Sequence, residues 1–235
     1  MEIQVHTLVF DALSFMRDNA KVFRKYIFLP VVFSFASLFL VKVPNFGLAL
    51  ASVSNSLALA LLGVSATRFY LMGKAEKVAD GANRPFARFF FLTFFMTVLG
   101  HMAEVFTLLP KEFQGSMFLW MILGFWINLK ICLAFPALAM DHPGSVWDNI
   151  RLSFNWTRGY GFKIVTAFLV CYCPVIFFTM TLMQIPALMP DEKDFWGSLP
   201  QLMFSDFLIV FSMLWSSLVL AKLYEGIALK GNSSI

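Results

Sequence analysis

The sequence predicts an all-α, polytopic membrane protein. It reads as six transmembrane helices plus two amphipathic interfacial helices, in a single integral-membrane domain over 1–235. Three observations predict it. Six apolar stretches, at 26–43, 47–66, 89–109, 117–139, 164–185 and 204–224, fill most of the chain. At a rise of ~1.5 Å per residue each covers about 30 Å, the thickness of a bilayer's hydrocarbon core. The hydrophobic share of 59% and the mean hydropathy of +0.75 exceed what a soluble core of this size needs. Finally, fourteen of the eighteen Lys and Arg residues fall on alternate sides of the stretches.

The first element precedes the first span. Val5, Leu8, Val9, Ala12, Leu13 and Met16 keep the i, i+3, i+4, i+7 rhythm of one helical face, with Asp11, Ser14 and Arg17 largely off it. This predicts an amphipathic helix over about 4–20. The pattern suits a helix lying in the membrane interface and equally one packed on the bundle's own end. The segment also carries Glu2, Asp11 and Asp18, unlike the short basic start of a secretory signal. The first span is therefore expected to remain as an anchor.

Spans one to four follow, and the chain then breaks at Pro143-Gly144. Ser145 and Asp148 have the Ser-x-x-Asp spacing of a capping box, in which each side chain serves the other's backbone N–H. They predict a second amphipathic helix over about 145–157, with Trp147, Ile150 and Phe154 on its apolar face and Gly159 and Gly161 ending it. Spans five and six complete the chain. Both halves read as surface helix, basic turn and span, a faint internal repeat of the kind that frames substrate sites in transporters.

The basic residues orient the bundle. Arg17, Lys21, Arg24 and Lys25 precede span one; Arg68, Lys74, Lys77, Arg84 and Arg88 lie between spans two and three. Arg151, Arg158 and Lys163 lie between spans four and five, and Lys222 and Lys230 at the C-terminal end. The opposite side holds Lys42, Lys111 and Lys193, while Lys130 is inside a span. By the positive-inside rule both termini are expected in the cytoplasm. Arg17, Lys21, Arg24, Lys25, Arg84, Arg88, Arg151, Arg158 and Lys163 become candidate contacts for anionic lipid headgroups.

Ionisable groups inside spans are costly and count as functional candidates. His101 and Glu104, three apart on one helical face, are expected ~18 and ~22 Å from the cytoplasmic end of span three. Asn128 and Lys130 are expected ~16 and ~14 Å from the same end on span four. The four are expected to form an intramembrane polar cluster, with Glu104 as the leading partner of Lys130. That cluster reads either as a buried ion pair or as a proton or ion relay.

Other chemistry finds little support. Cys132, Cys171 and Cys173 all lie in spans, and the Cys-x-Cys pair points two ways on a helix, so small packing residues are expected. No phosphate loop, dinucleotide fingerprint, G-x-S-x-G or metal-ligand set occurs, so no catalytic residue, metal or cofactor is assigned. The absence of basic runs interleaved with exposed aromatics argues against nucleic acid. The 29 Phe residues suit lipid contact and helix packing.

The stretch from Lys130 to Lys163 resembles a pattern in uncharacterised bacterial six-span inner-membrane proteins. The residues carrying it are Pro136, Ala137, Ala139 and Asp141, then Ser145, Trp147, Arg151, Leu152, Thr157, Arg158 and Gly159. Arg68-Phe-Tyr-Leu-Met-Gly73 is similar to a second pattern after the second span of such proteins. The family is distantly similar to the membrane domain of some glycerophosphodiester phosphodiesterases, whose soluble barrel of roughly 250 residues has no room here. Where the family pattern carries Arg in span four, this chain has Lys130. The resemblance implies a bacterial inner-membrane location and says almost nothing about activity. Together these readings favour a non-catalytic membrane protein working with membrane lipids and other membrane proteins, as subunit, scaffold or assembly factor. A transporter or lipid-handling protein with its polar site at Lys130, Glu104 and His101 is the alternative.

Overall fold

A segment that crosses lipid must satisfy its own backbone, and an α-helix does so within itself. The structure, a computed structural model, describes residues 4–73, 83–105, 115–184 and 195–229. The described residues form α1 (Val5–Asp18), α2 (Ala20–Leu40), α3 (Gly47–Met72), α4 (Asn83–Val105) and α5 (Gly115–Ile131). They continue as α6 (Ala134–Ala139), α7 (Val146–Trp156), α8 (Gly161–Gln184) and α9 (Phe195–Tyr224), closed by a π-helical turn at Glu225–Leu229.

Among the described residues, four helical segments are long and apolar enough to cross a membrane: Ala20–Leu40, Gly47–Met72, Gly161–Leu182 and Gly197–Ala228. They correspond to the expected first, second, fifth and sixth spans, most of them longer than expected. The expected fourth span, 117–139, is not one helix. Pro136 has no N–H and its ring crowds the carbonyl four residues back, so the helix stops at Ile131 and a short α6 resumes after Cys132 and Leu133. The expected third span begins six residues early, at Asn83, and takes Arg84 and Arg88 into its first turns.

Lipid tails are as apolar as leucine, so helices in a bilayer associate through close packing and hydrogen bonds rather than by escaping water. The sequence of α3 suits this, burying Ala51, Ser54, Ser56, Ala58, Ala60 and Ala66 at the centre of the bundle. Ser54 Oγ donates to the Phe33 carbonyl of α2 at 2.6 Å, and Ser56 meets Thr97 of α4 at 3.3 Å. Gly63 admits the Phe89 ring of α4, whose Cζ lies 2.3 Å from where a Cβ would stand. Gly47 opens α3 where any side chain would strike the Val41 carbonyl, so α2 and α3 turn back on each other tightly.

Both amphipathic helices form, and both pack against the bundle. In α1 the predicted stripe turns inward: Leu8, Val9, Ala12 and Met16 are buried among α8 and α9 residues. Trp215 Nε1 donates to the Val9 carbonyl at 3.0 Å, and Lys222 pairs with Asp11. In α7 the buried side is not the predicted one. Trp147 is 59% exposed, Ile150 and Phe154 are half-buried, and Asn149, Ser153 and Thr157 are the residues at 0%. The polar stripe faces inward because the broken α5–α6 joint presents backbone groups that hydroxyls can satisfy.

α1, α6 and α7 thus cover one end of the bundle, where α2, α4 and α8 begin and α3, α5 and α9 finish. It is the end that holds the clustered Arg and Lys residues, hereafter the basic end.

Candidate functional site

The joint between α5 and α6 is the best-defined polar feature. With Pro136 interrupting the ladder, the Lys130 carbonyl and the Leu133 N–H need partners from elsewhere. Ser153 of α7 serves both: its Oγ donates to Lys130 O at 2.7 Å and accepts from Leu133 N at 3.2 Å. Thr157 Oγ1 adds a longer bond of 3.5 Å to the same carbonyl. The Ser145–Asp148 capping box forms as predicted, with Asp148 Oδ2 accepting from Ser145 N at 2.8 Å and Ser145 Oγ accepting from Asp148 N at 3.2 Å. Hydrogen bonds from the Ser145 backbone and hydroxyl hold the Asp148 carboxyl below its ordinary pKa.

Beyond α6, Asp141 adopts a left-handed backbone (φ 52°) and meets α4: Arg88 Nη1 lies 3.3 Å and Arg84 Nε 3.9 Å from its Oδ1. Arg68, at the end of α3, donates from Nη1 to the Ala139 carbonyl at 3.2 Å. Residues from both resemblance motifs therefore meet at one place.

The helix backbones set Lys130 and Glu104, two members of the expected polar cluster, at different levels. Trp120 Nε1 of α5 donates to the Leu99 carbonyl of α4 at 3.2 Å, which sets the register of these consecutive helices. Lys130 lies ten residues beyond Trp120 toward the basic end, and Glu104 five residues beyond Leu99 the other way. Along the axis their backbones are ~22 Å apart, beyond the reach of a lysine. The side chains of His101 and Glu104 themselves lie outside the described residues. The equal depths expected from the sequence fail because α4 starts early and α5 stops early. Asn128 is exposed and donates to Gly124 O at 3.0 Å within its own helix. Lys130 sits in the last turn of α5, where a cation is favoured by the helix dipole and can extend to the interface.

One intramembrane acid escaped the sequence reading. Asp206 of α9 is buried, its Oδ1 accepting from Ser34 Oγ of α2 at 2.7 Å while its Oδ2 has no hydrogen-bond partner. It was legible as an acid inside the sixth apolar stretch; its serine partner, 172 residues away, was not.

The candidate headgroup residues gather at the basic end but are not equally free. Arg84 and Arg88 face Asp141, and Arg17 pairs with its neighbour Asp18 at 3.1 Å. Lys21, Arg24, Lys25, Arg151 and Arg158 are exposed and Lys163 is half-exposed. Cys171 is buried and Cys173 exposed, so the Cys-x-Cys thiols do point apart.

A cavity of about 460 Å³ lies among α3, α4, α5, α6, α8 and α9. Phe89, Phe135, Phe168, Met213 and Leu220 supply apolar walls, and Phe125 and Leu169 stand at its edge, 58% and 57% exposed. Asn128 and Leu129 line it; Lys130 does not. Compared with known proteins, the chain matches no protein-family model, no curated protein and no solved structure.

Proposed function

We propose that this is a bacterial inner-membrane protein of six spans, both termini cytoplasmic, that serves as a non-catalytic subunit, scaffold or assembly factor of a larger membrane complex. α4 and α5 supply the two spans beyond the four that meet the length and apolarity requirement, and the basic end is the cytoplasmic one. The observation that carries the reading is how the polar groups at that end are used. Ser153 closes the α5–α6 joint, Arg68 ties α3 to the end of α6, Arg88 ties α4 to the turn after it, and Trp215 and Lys222 hold α1. They build a rigid cap rather than converge on a ligand. Meanwhile α2, α5 and α8 turn large side chains such as Phe28, Phe118 and Phe177 outward, surface suited to lipid and neighbouring helices. The likeness of 68–73 and 130–163 to six-span inner-membrane proteins agrees. Purification in a mild detergent tests it: a stoichiometric membrane-protein partner that survives repeated chromatography is expected. A chain that runs alone from native membranes in several mild detergents overturns it. The cavity favours lipid handling as a second reading.

A further inference from the structure

We propose that the cavity is a lipid site, holding one hydrocarbon chain of a phospholipid from the leaflet at the basic end, which enters sideways between α5 and α8. The site stands whether the protein works as a scaffold or as a lipid handler.

Depth is the first argument. Val165 and Tyr172 lie ~6 and ~17 Å along α8 from its start, and Leu220 and Met213 lie ~6 and ~17 Å from the end of α9. Phe89 and Thr93, ~9 and ~15 Å into α4, fall in the same band. All six line the cavity. The band matches the ~15 Å that one leaflet contributes to a 30 Å hydrocarbon core. A partner's transmembrane helix would need a groove along the full thickness, and this cavity occupies half of it.

The second argument is chemistry. Most polar side chains in the walls donate to nearby backbone carbonyls: Thr93 Oγ1 to Phe89 O at 2.9 Å, Ser217 and Ser216 to Met213 O at 2.8 and 3.0 Å. Asn128 and Cys132 do the same on Gly124 and Leu129. What faces the space is mostly carbon, with Thr67, Asn128 and Tyr172 the polar groups left in the walls, and such a lining suits a methylene chain better than a polar solute.

The third is access. α5 and α8 touch sparsely, and the exposed Phe125 and Leu169 stand on the two sides of that seam. The seam closes toward the basic end where Leu129 lies 3.4 Å from the Cβ position of Gly161. Lys130 and Lys163 flank this point in sequence, at the level a phosphate headgroup would occupy.

The test uses the full chain in nanodiscs of phosphatidylethanolamine and phosphatidylglycerol, with a trace of phosphatidylglycerol bearing a mid-chain diazirine. A parallel arm carries diazirine-labelled palmitate. Irradiation should label Thr93, Met213 and Leu220, inside the walls, from the phospholipid. Val165→Phe, which fills the cavity, should cut that labelling about tenfold while outward Phe177 labels as before. Label confined to outward residues such as Phe28 and Phe177 overturns the proposal, a result that needs no variant. Wall labelling by palmitate alone overturns the phospholipid source. Walls that label only after a co-purifying protein is stripped away overturn the lipid occupant in favour of a protein segment.

Discussion

Ser153 makes two hydrogen bonds with one buried hydroxyl, to the Lys130 carbonyl and from the Leu133 N–H, across a joint that no backbone bond can close. Ser153→Ala strands the Leu133 N–H, leaves the Lys130 carbonyl only its longer bond from Thr157, and should cost ~1–3 kcal/mol, read by thermal or chemical denaturation in detergent. Asn155→Ala, on the exposed side of α7, should stay within about 0.5 kcal/mol. Equal melting of the two variants would refute the account of the joint. Lys130 behaves differently. At the end of α5 and far along the axis from Glu104, its loss strands nothing: Lys130→Met should be mild, and combined with Glu104→Gln should show a coupling below ~0.5 kcal/mol in a double-mutant cycle. A larger coupling would restore the ion pair that the sequence suggests. Asp206→Asn keeps an acceptor for Ser34 and removes a buried carboxyl from an apolar segment, so the melting temperature should hold or rise. The acid's position was readable from the sequence, because charge inside an apolar stretch is visible there. Its hydrogen bond depends on which helix stands opposite, and no local pattern encodes that.

At the scale of elements, α1 and α7 show what periodicity can and cannot decide. The stripe of α1 says which side is buried; it does not say whether lipid or protein covers it. Trp215 and Lys222 of α9 decide for protein, so the amides of residues 8–16 should exchange slowly even in detergent without lipid. Rapid exchange there would make α1 a lipid-dependent helix. In α7 the apolar stripe misled, because the value of a hydroxyl facing inward depends on a helix break twenty residues upstream. Its N-cap, by contrast, is local and was legible at Ser145 and Asp148. The lowered Asp148 pKa sets the sign of its pH dependence. The stabilisation is fully present above the ordinary aspartate value of ~3.9 and is lost as pH falls through the lower folded value. The Ser145 amide resonance, followed by NMR, should therefore shift only below about pH 4. A midpoint above that value would contradict the capping geometry.

For the whole molecule, topology is the expectation with the widest reach. Val43→Cys, in the exposed α2–α3 turn, should react with an impermeant thiol reagent added to intact cells, and Asn155→Cys should not; the reverse pattern inverts the proposed orientation. The amino-acid sequence alone determined that the chain is helical and built for a membrane, where the surface helices lie, how α7 is capped and where the basic residues cluster. Those properties follow from composition, from a 3.6-residue period and from contacts within one turn of helix. Tertiary structure alone decided that Pro136 splits the expected fourth span, that the α4–α5 register sets the backbones of Lys130 and Glu104 at different levels, that α7 turns hydroxyls inward, and that a mostly apolar cavity forms inside the bundle. Each of these depends on which residues distant in the chain come to lie side by side, and small shifts in where a helix starts or stops move a side chain many ångströms along the membrane normal.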